Sequence, residues 1–473
     1  MKVFDPIRPE HDPAGKLAAM VVDTRYQDIP AQVIDLAKRA IFDTLAVTIA
    51  GSKWEASPQV VEQVLEWGGK PQSRILVYGH AVPAPLAAFA NGVMARGIDM
   101  GDVHETGGHI TEWNVPAMLA ALSLAPSPIT GKDFICAYVA SAELGVRANT
   151  SVGGAAAAAL GVPGEFAGGL CATAGVAKLL GLSVEHTWNA LGITYSAHGM
   201  SEMQKYAEGT QMPRVQHGFA GDTAIKAALL SRRGVTGPKG IFLGVPGGSL
   251  RHIHWDGVNP EVLTDRLGER WIYAEALSMK PYSACKFTHS FIASTVEIMQ
   301  RNCLDHRDIA GIACRGSNGA RMTFEPRQAK WDPQTPGEAL YSTPFAVATA
   351  AITGDVFLGD FTPEEVHRPD KRELMSKISV EFDPAITDSF EGFPVTVILG
   401  DGRSFSHTTP YVRGHTKNPM TWDDLTRKFW KCVAHSAVPL PDAKLRQLIE
   451  LCMNLEQLED VSALVEALSP DRA

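Results

Sequence analysis

The spacing of apolar residues changes twice along this 473-residue chain, and that change restricts the folds open to it. Up to about residue 270, apolar residues recur every three or four positions, as they do on one face of a helix. Between about residues 275 and 410, short runs alternate apolar and polar residues, as strands with one buried face do. From about residue 410 the helical spacing resumes. The pattern predicts a mainly α protein, in which a large helical unit is interrupted by a smaller α+β unit.

The helical segments carry recognisable start and stop signals. In "DIPAQVIDLAKRAIFDTLAVTIAG", Pro30 begins and Gly51 ends a helix whose apolar residues share one face. In the C-terminal part, Thr421 is the expected cap of "TWDDLTRKFWKCVAHS". The other helices predicted in the first part cover residues 84–96, 115–124, 131–146, 169–180 and 220–233.

The middle of the chain combines strands with short helices. Three strands are predicted in "GIACRGSN", "KISVEF" and "FPVTVIL". An Asp-Gly pair follows the third strand and leads into "SFSHTT", which predicts a hairpin. Between the strands, Thr362 precedes Pro363 and Glu365 with the spacing of a helix cap. These signals together predict an α+β unit.

Composition and charge exclude several function classes. A hydrophobic content of 45% with 20% charged residues is that of a folded globular protein, and a net charge of -9 provides no basic field for nucleic acid or an anionic membrane. The first residues lack the apolar run of a signal peptide. The seven cysteines contain no C-x-x-C pair, which fits a reducing compartment. We expect a cytoplasmic protein that binds neither nucleic acid nor membrane.

One polar segment, "RGIDMGDVHETGGHITEWNVP", interrupts the apolar pattern at residues 96–116. His104 and His109 are five residues apart with two glycines between them, so they do not match the H-E-x-x-H zinc motif. A nonhelical loop could still gather Asp99, Asp102 and the two histidines around a metal ion. Alternatively, an imidazole beside a carboxylate could move protons near neutral pH. An ordinary solvated turn is the third interpretation.

Two other stretches could supply cations to the same ligand. "MKPYSACKFTHSF" contains Lys280, Lys286 and His289 close to the predicted entry into the α+β unit. Lysines at this place could bind a carboxylate as point charges. The same stretch allows a nucleophilic Cys285 activated by His289, because these residues would be neighbours on a helix.

The third stretch, "EMQKYAEGTQMPRVQHG", precedes a predicted helix. It contains Lys205, Tyr206, Arg214 and His217. Arg214 is the candidate for a two-pronged contact with a carboxylate, because its guanidinium group presents two parallel N–H donors.

Six segments, in this order, resemble the MmgE/PrpD family, which includes 2-methylcitrate dehydratase, cis-aconitate decarboxylase and iminodisuccinate epimerase. They are "AKRAIFDTLAVTIAG", "AFANGVMARGIDMGDVHETGGH", "TAGVAKLLGLS", "GTQMPRVQHGFAGDTAIKAALLSRRGVTGP", "KPYSACKFTHSFIAS" and "ALYSTPFAVATAAITGDV". The resemblance implies a helical domain of residues 1–277 and 409–473, an inserted α+β lid domain of residues 278–408, and a homodimer. It also implies cofactor-free chemistry on a small di- or tricarboxylate at the domain interface.

The resemblance also suggests site residues. The implied catalytic residues are Asp99, His109, Lys280 and His289. From the polar segments themselves, we expect Asp102, His104, Arg214 and Lys286 to bind the substrate. Three positions depart from the expected patterns: Val103 replaces a threonine of the family, and Val162 and Pro213 lie where cis-aconitate decarboxylases carry a histidine and a lysine. These departures argue against a cis-aconitate decarboxylase.

The expected activity is that of a cofactor-free hydro-lyase similar to 2-methylcitrate dehydratase, in which a base moves a proton next to a carboxylate. An epimerase or another isomerase, a decarboxylase of a related carboxylate, and a noncatalytic carboxylate-binding homologue remain as alternatives.

Overall fold

A computed structural model describes residues 7–106, 108–153, 167–197, 210–242, 259–387 and 389–471. Lys205, Tyr206 and Val162, which the sequence analysis singled out, lie outside these ranges. The described chain is predominantly helical with small sheets, and its core divides into two main apolar clusters. Within the described ranges, no helix is long and apolar enough to cross a membrane.

The described N-terminal part has nine helices, which build most of the first cluster and a smaller third one. They are α1 (Pro13–Asp23), α2 (Ala31–Gly51), α3 (Ser57–Trp67), α4 (Ala84–Arg96), α5 (Thr111–Ala121), α6 (Gly131–Ser151), α7 (Gly168–Leu179), α8 (Val184–Ala197) and α9 (Met212–Arg232). The predicted bounds of α2 and α4 are confirmed. Two short strands, β1 (Ser73–Arg74) and β2 (Ala81–Val82), pair antiparallel between α3 and α4.

Small residues bring α4 and α9 close together. A Cβ atom added at Gly92 of α4 would lie 2.8 Å from the carbonyl oxygen of His217 on α9, and one added at Gly218 would lie 2.5 Å from the carbonyl oxygen of Phe89. Only glycine fits such backbone contacts. The approach matters for the site because it seats His217 against the end of α4.

Two helices begin earlier than the sequence pattern predicts. α5 begins at Thr111 and not at residue 115, and it carries Pro116 inside it. α9 begins at Met212 and not at residue 220, with Pro213 in its first turn, where a missing N–H costs nothing. Polar residues in these first turns hid the helical spacing. Arg214 and His217 therefore lie on α9 and not in a loop before it.

The second cluster surrounds a four-stranded sheet, as the middle segment predicted. Its strands are β5 (Ile309–Gly316), β6 (Ile378–Phe382), β7 (Pro394–Leu399) and β8 (Ser404–Thr408), in the order β6-β5-β7-β8. β5 and β6 are parallel, and the other pairs are antiparallel, including the predicted β7–β8 hairpin. The helices of this part are α10 (Lys286–Arg301), α11 (Arg327–Trp331), α12 (Pro336–Ala339), α13 (Thr343–Thr353), α14 (Pro363–Val366) and α15 (Pro369–Ser376).

The last three helices return to the first cluster. They are α16 (Trp422–Val433), α17 (Asp442–Met453) and α18 (Ser462–Ala467). Thr421 caps α16 as predicted, since its side chain accepts the backbone N–H of Asp424. α16 packs on α2, where Phe429 stacks on Phe42 at a centroid distance of 5.2 Å.

A two-stranded ribbon joins the two parts of the chain. β3 (Asp102–His104) pairs antiparallel with β4 (Leu277–Met279), so that Asp102 lies opposite Met279 and His104 opposite Leu277. The ribbon places the turn after α4 beside Lys280, which follows β4 directly. Asp99 and Lys280, which are 181 positions apart in the sequence, thus meet at one place.

Candidate active site

The turn that follows α4 presents Asp99 to two cations. Asp99 adopts a φ of +48°, a left-handed conformation that aspartate tolerates better than most residues. Its carboxylate oxygen Oδ1 accepts a hydrogen bond from Lys280 Nζ at 2.6 Å and a second, short one from Arg96. Burial acts to raise the pKa of Asp99, but the charges of Arg96 and Lys280 outweigh it and hold the pKa well below its usual range. Asp99 is therefore an ionised carboxylate at neutral pH.

Lys280 donates three hydrogen bonds, two to Asp99 and one within its own segment. Besides the Asp99 carboxylate, it donates to the backbone oxygens of Asp99 at 3.0 Å and Ala284 at 3.2 Å. The other carboxylate oxygen of Asp99, Oδ2, is buried and has no hydrogen-bond partner among the described residues. A ligand hydroxyl or carboxyl group would find an acceptor there.

Lys428 of α16 holds the backbone beside both partners of the Asp99–Lys280 ion pair. Its ammonium group is 2.7 Å from the Asp43 carboxylate, and it donates to the backbone oxygens of Met100 and Lys280 at 2.8 Å each. Met100 follows Asp99 in the chain. Lys428 therefore fixes the backbone next to both partners of the Asp99–Lys280 ion pair.

His109 lies on the other side of Arg96. Its Nδ1 is 3.0 Å from the backbone oxygen of Asp102 and 3.5 Å from Oε2 of Glu112. A carbonyl oxygen can only accept, so Nδ1 carries the hydrogen and the lone pair of the neutral ring is on Nε2. The side chain of His109 is 14% exposed, whereas that of Glu112 is fully buried. His109 can therefore present a basic nitrogen to a ligand.

His109 and Lys280 belong to one connected set of charges. Lys280 and Arg96 share the Asp99 carboxylate, and the Nε of Arg96 is 3.5 Å from Oε2 of Glu112, which also faces His109. Asp99 faces these two cations, and the charge of His109 also lowers its pKa. The described contacts of His109 run to Asp102, Glu112 and the ring of His217.

Arg214 reaches the same region from α9. Its Nε donates to the backbone oxygen of Gly97 at 2.9 Å, and Nη2 is buried without a hydrogen-bond partner among the described residues. Tyr341 lies nearby: burial raises its pKa well above 10, the charge of Asp99 adds to the rise, and the charges of Arg96 and Arg214 oppose it. Arg214 thus shares one electrostatic environment with the Asp99 turn.

His289 supports Lys280 from α10. Its Nε2 is 3.1 Å from the backbone oxygen of Ala284, the same oxygen that accepts from Lys280. Burial and the charges of Lys286 and Lys280 hold the pKa of His289 well below 6.5, so the ring is neutral at pH 7. In this position His289 orients the Ala284 carbonyl.

Three of the residues suggested as substrate-binding are engaged elsewhere. The carboxylate of Asp102 accepts from the backbone and hydroxyl of Thr111, and burial raises its pKa to about 6. His104 Nε2 donates to the backbone oxygen of Ile272 at 2.9 Å, and burial lowers its pKa to about 4. Lys286 forms a buried ion pair with Glu391 at 2.5 Å. The described contacts of these three residues are with other parts of the protein. Of the suggested substrate-binding residues, Arg214 is therefore the cation that is better placed to meet a ligand.

The metal and thiol alternatives find little support in the described residues. Within the described ranges, no group of three or more His, Cys, Asp and Glu residues is arranged to hold a metal ion. Cys285 precedes α10 as its cap residue, and burial raises the pKa of its thiol to about 11. A thiolate is therefore disfavoured at this position.

Several site residues were missed by sequence reasoning. Arg96 looks like an ordinary basic residue at the end of a helix, and Glu112 like an acid in the first turn of one, as helix dipoles favour. Lys428 belongs to a helix far along the chain and carries no local signal. Tyr341 had one signal, because it lies within a segment that carried the family resemblance.

Comparison with known proteins identifies the family of the chain. The sequence model of the MmgE/PrpD N-terminal domain matches residues 15–258, and that of the C-terminal domain matches residues 282–455. A cis-aconitate decarboxylase-like protein, oryM, of Aspergillus oryzae is 27% identical, with 98% of each chain covered. The cis-aconitate decarboxylase of Homo sapiens is 26% identical over 92% of this chain and 90% of its own, and that of Aspergillus terreus 25% identical over 93% of each. With both of its domains matched, the chain belongs to the MmgE/PrpD family.

Proposed function

We propose that this protein is a cofactor-free lyase that removes water from a small hydroxylated di- or tricarboxylate, in the manner of a 2-methylcitrate dehydratase. The observation that carries the proposal is the connected set of charges around Asp99. Asp99 forms a buried ion pair with Lys280, and Arg96 connects this pair to the His109–Glu112 pair because it contacts both Asp99 and Glu112. Such a site combines cations for a carboxylate with a histidine for proton transfer.

In this proposal the substrate binds between Arg214 and Asp99. The buried Nη2 of Arg214 offers a donor for a substrate carboxylate, and Oδ2 of Asp99 offers an acceptor for the substrate hydroxyl. The charges of Arg96 and Lys280 stabilise negative charge that develops on the carboxylate as the neighbouring carbon loses its proton. Each contact uses an atom for which the described residues provide no hydrogen-bond partner, or a charge already in place.

His109 then moves the proton. Its Nε2 takes the proton from the carbon beside the carboxylate, and the resulting imidazolium returns that proton to the departing hydroxyl group. One C–H bond and one C–O bond break, a carbon–carbon double bond forms, and water leaves. The ring is neutral again at the end of the cycle.

A decarboxylase is the second candidate, because the relatives described above are named for cis-aconitate decarboxylation. The same cations would hold a carboxylate, and the imidazolium would protonate the carbanion left by loss of CO₂. Pro213, at the place of a lysine that cis-aconitate decarboxylases carry, argues against this reaction. We further propose that residues 278–408 act as a lid over residues 1–277 and 409–473.

The test is a panel of citrate, 2-methylcitrate, cis-aconitate, malate and aspartate derivatives, incubated in deuterated water. Water loss gives a conjugated alkene that absorbs in the ultraviolet, decarboxylation releases CO₂, and epimerisation exchanges label without an alkene. We expect His109→Gln to lower turnover by about 10²- to 10⁴-fold with the fold intact. An unchanged rate in this variant would remove His109 from the mechanism, and binding without turnover across the panel would refute the enzymatic proposal.

A further inference from the structure

Glu112 is a buried carboxyl group that the reaction described above does not use. It lies in the first turn of α5, and its side chain has no exposed surface. Neither of its carboxyl oxygens has a hydrogen-bond partner among the described residues. A buried polar group left in this way is costly, and such groups tend to have a functional reason.

The protein makes room for this carboxyl group through a glycine. A Cβ atom added at Gly101 would lie 2.0 Å from Oε1 of Glu112, so any larger residue would collide with it. Gly101 lies between Asp99 and Asp102 in the turn after α4. The turn and the carboxyl group are therefore packed directly against each other.

Charged and titratable groups surround Glu112 on several elements. Arg96 at the end of α4 has its Nε 3.5 Å from Oε2, His109 in the loop before α5 has its Nδ1 3.5 Å away, and His217 on α9 has its Nδ1 3.8 Å away. The ring of His217 is stacked on that of Trp113 at 3.5 Å between centroids, which fixes its plane. The charges of Asp99, Asp102 and Lys280 complete the surroundings.

We propose that Glu112 is a positioning residue that acts through His109, as the counter-ion with which this imidazole shares one titratable proton. When Glu112 is ionised and His109 takes the substrate proton at Nε2, the Nδ1–H of the imidazolium faces the carboxylate, and the net charge of the pair changes from −1 to zero. When that proton passes to the departing hydroxyl group, the imidazole is neutral again and the pair returns to a net charge of −1. Glu112 thus balances the positive charge that His109 carries in the middle of the cycle.

The electrostatics of the site agree with this assignment. Burial raises the pKa of Glu112 to about 8; the charges of Arg96 and Lys280 oppose the rise, and those of Asp99 and Asp102 add to it. The carboxyl group can therefore hold a proton at neutral pH, where an ordinary glutamate cannot. Groups that interact this closely titrate as a pair and not singly.

This inference deepens the proposed function, and its test does not require turnover. The protein is labelled with ¹⁵N-histidine, the signals of His109 are assigned by their loss in His109→Gln, and their shifts are followed from pH 5 to pH 10. We expect Glu112→Gln to lower the midpoint of the His109 titration by at least about one pH unit, because the imidazolium loses its counter-ion. A midpoint that stays within about 0.3 pH units of wild type would overturn the proposal.

Two further variants separate charge from structure. Glu112→Asp keeps the carboxylate but shortens the side chain by one methylene group, which moves the charge away from His109. The midpoint of the His109 titration in this variant should therefore lie between those of wild type and Glu112→Gln. A midpoint equal to that of Glu112→Gln would contradict the role of the charge. Glu143→Gln removes another buried carboxyl group, one that pairs with Arg147 at 2.7 Å. It should leave the His109 titration unchanged, and a shift as large as that in Glu112→Gln would show that the effect is not specific.

Activity provides the second readout once a substrate is found. Glu112→Gln should lower kcat with little change in KM, and the limb of the pH profile that reports His109 should move to lower pH by the same amount as the NMR midpoint. Loss of activity without a shift of that limb would contradict the proposal. If no carboxylate is turned over but the NMR midpoint shifts, the proposed function fails and the Glu112–His109 coupling stands.

Discussion

Replacing Lys428 by methionine should destabilise the protein strongly, because it leaves a buried carboxylate without its cation. Lys428 is 5% exposed and Asp43 1%, and the ammonium nitrogen is 2.7 and 2.9 Å from the two carboxylate oxygens. The same nitrogen donates to the backbone oxygens of Met100 and Lys280. Methionine keeps the length and apolar stem of the side chain and removes these four contacts.

The expected cost follows from this burial. Removing one partner of a buried ion pair typically costs about 3–5 kcal/mol, because the remaining charge is neither solvated nor paired. An exposed pair costs only about 0–1 kcal/mol. Lys226 and Asp222 form such a pair on α9 at 2.7 Å, with the lysine side chain 58% exposed. Lys226→Met is therefore the matched control.

The destabilisation should depend on pH in a defined direction. Burial raises the pKa of Asp43 above 3.8, although Lys428 opposes the rise, and removal of Lys428 raises it further. A carboxyl group whose pKa is higher in the folded than in the unfolded state contributes to the free energy of unfolding in full at pH values below its unfolded pKa. This contribution is lost as the pH rises through the folded pKa. The cost of Lys428→Met should therefore be smallest near pH 4 and grow towards neutral pH.

Urea denaturation, followed by circular dichroism at several pH values, measures these effects. Adding Asp43→Asn to Lys428→Met removes the uncompensated charge, so the double variant should recover part of the stability and lose most of the pH dependence. If Lys428→Met costs no more than Lys226→Met, or if its cost is the same at pH 4 and pH 7, the assignment of a buried, ionised pair is refuted.

Two other outcomes are expected for the site. Arg214→Met should raise KM by about tenfold or more with a smaller effect on kcat, because a charge-assisted contact to the substrate carboxylate is lost; steady-state kinetics decide, and an unchanged KM removes Arg214 from binding. Cys285→Ala should retain near wild-type turnover, and the turnover of the wild-type protein should resist thiol-alkylating reagents, because the buried Cys285 thiol is protonated. Loss of activity in the folded alanine variant would contradict this.

Local sequence signals predicted the elements whose pattern is complete within the element. α4 has the predicted bounds because Pro83 precedes it and its apolar spacing is uninterrupted, and β7 and β8 pair as their alternation and the Asp-Gly turn predict. The predicted start of α9 was wrong by eight residues. Its first turns carry Arg214 and His217, which turn inward only because α4 lies against them.

The site was predicted less well, because its residues acquire their properties from contacts between distant segments. Asp99 and Lys280 were identified, but no sequence pattern shows that Lys280 donates two hydrogen bonds to Asp99 and a third to the backbone oxygen of Ala284. From the sequence alone, Glu112 is interpreted as a solvent-exposed acid in the first turn of a helix. Its burial depends on packing against α9 and Gly101, which lies beyond the reach of local periodicity.

The short ribbon of β3 and β4 has a consequence for variation within the family. Successive side chains of a strand point to opposite sides, so the pairing of Asp102 with Met279 sets the phase of Lys280, the next residue. A single insertion or deletion inside Leu277–Met279 would turn the ammonium group away from Asp99 without changing any other residue. We therefore expect length changes to be poorly tolerated inside the ribbon and in the residues that join it directly to Asp99 and Lys280, because these residues determine where the two charged groups meet.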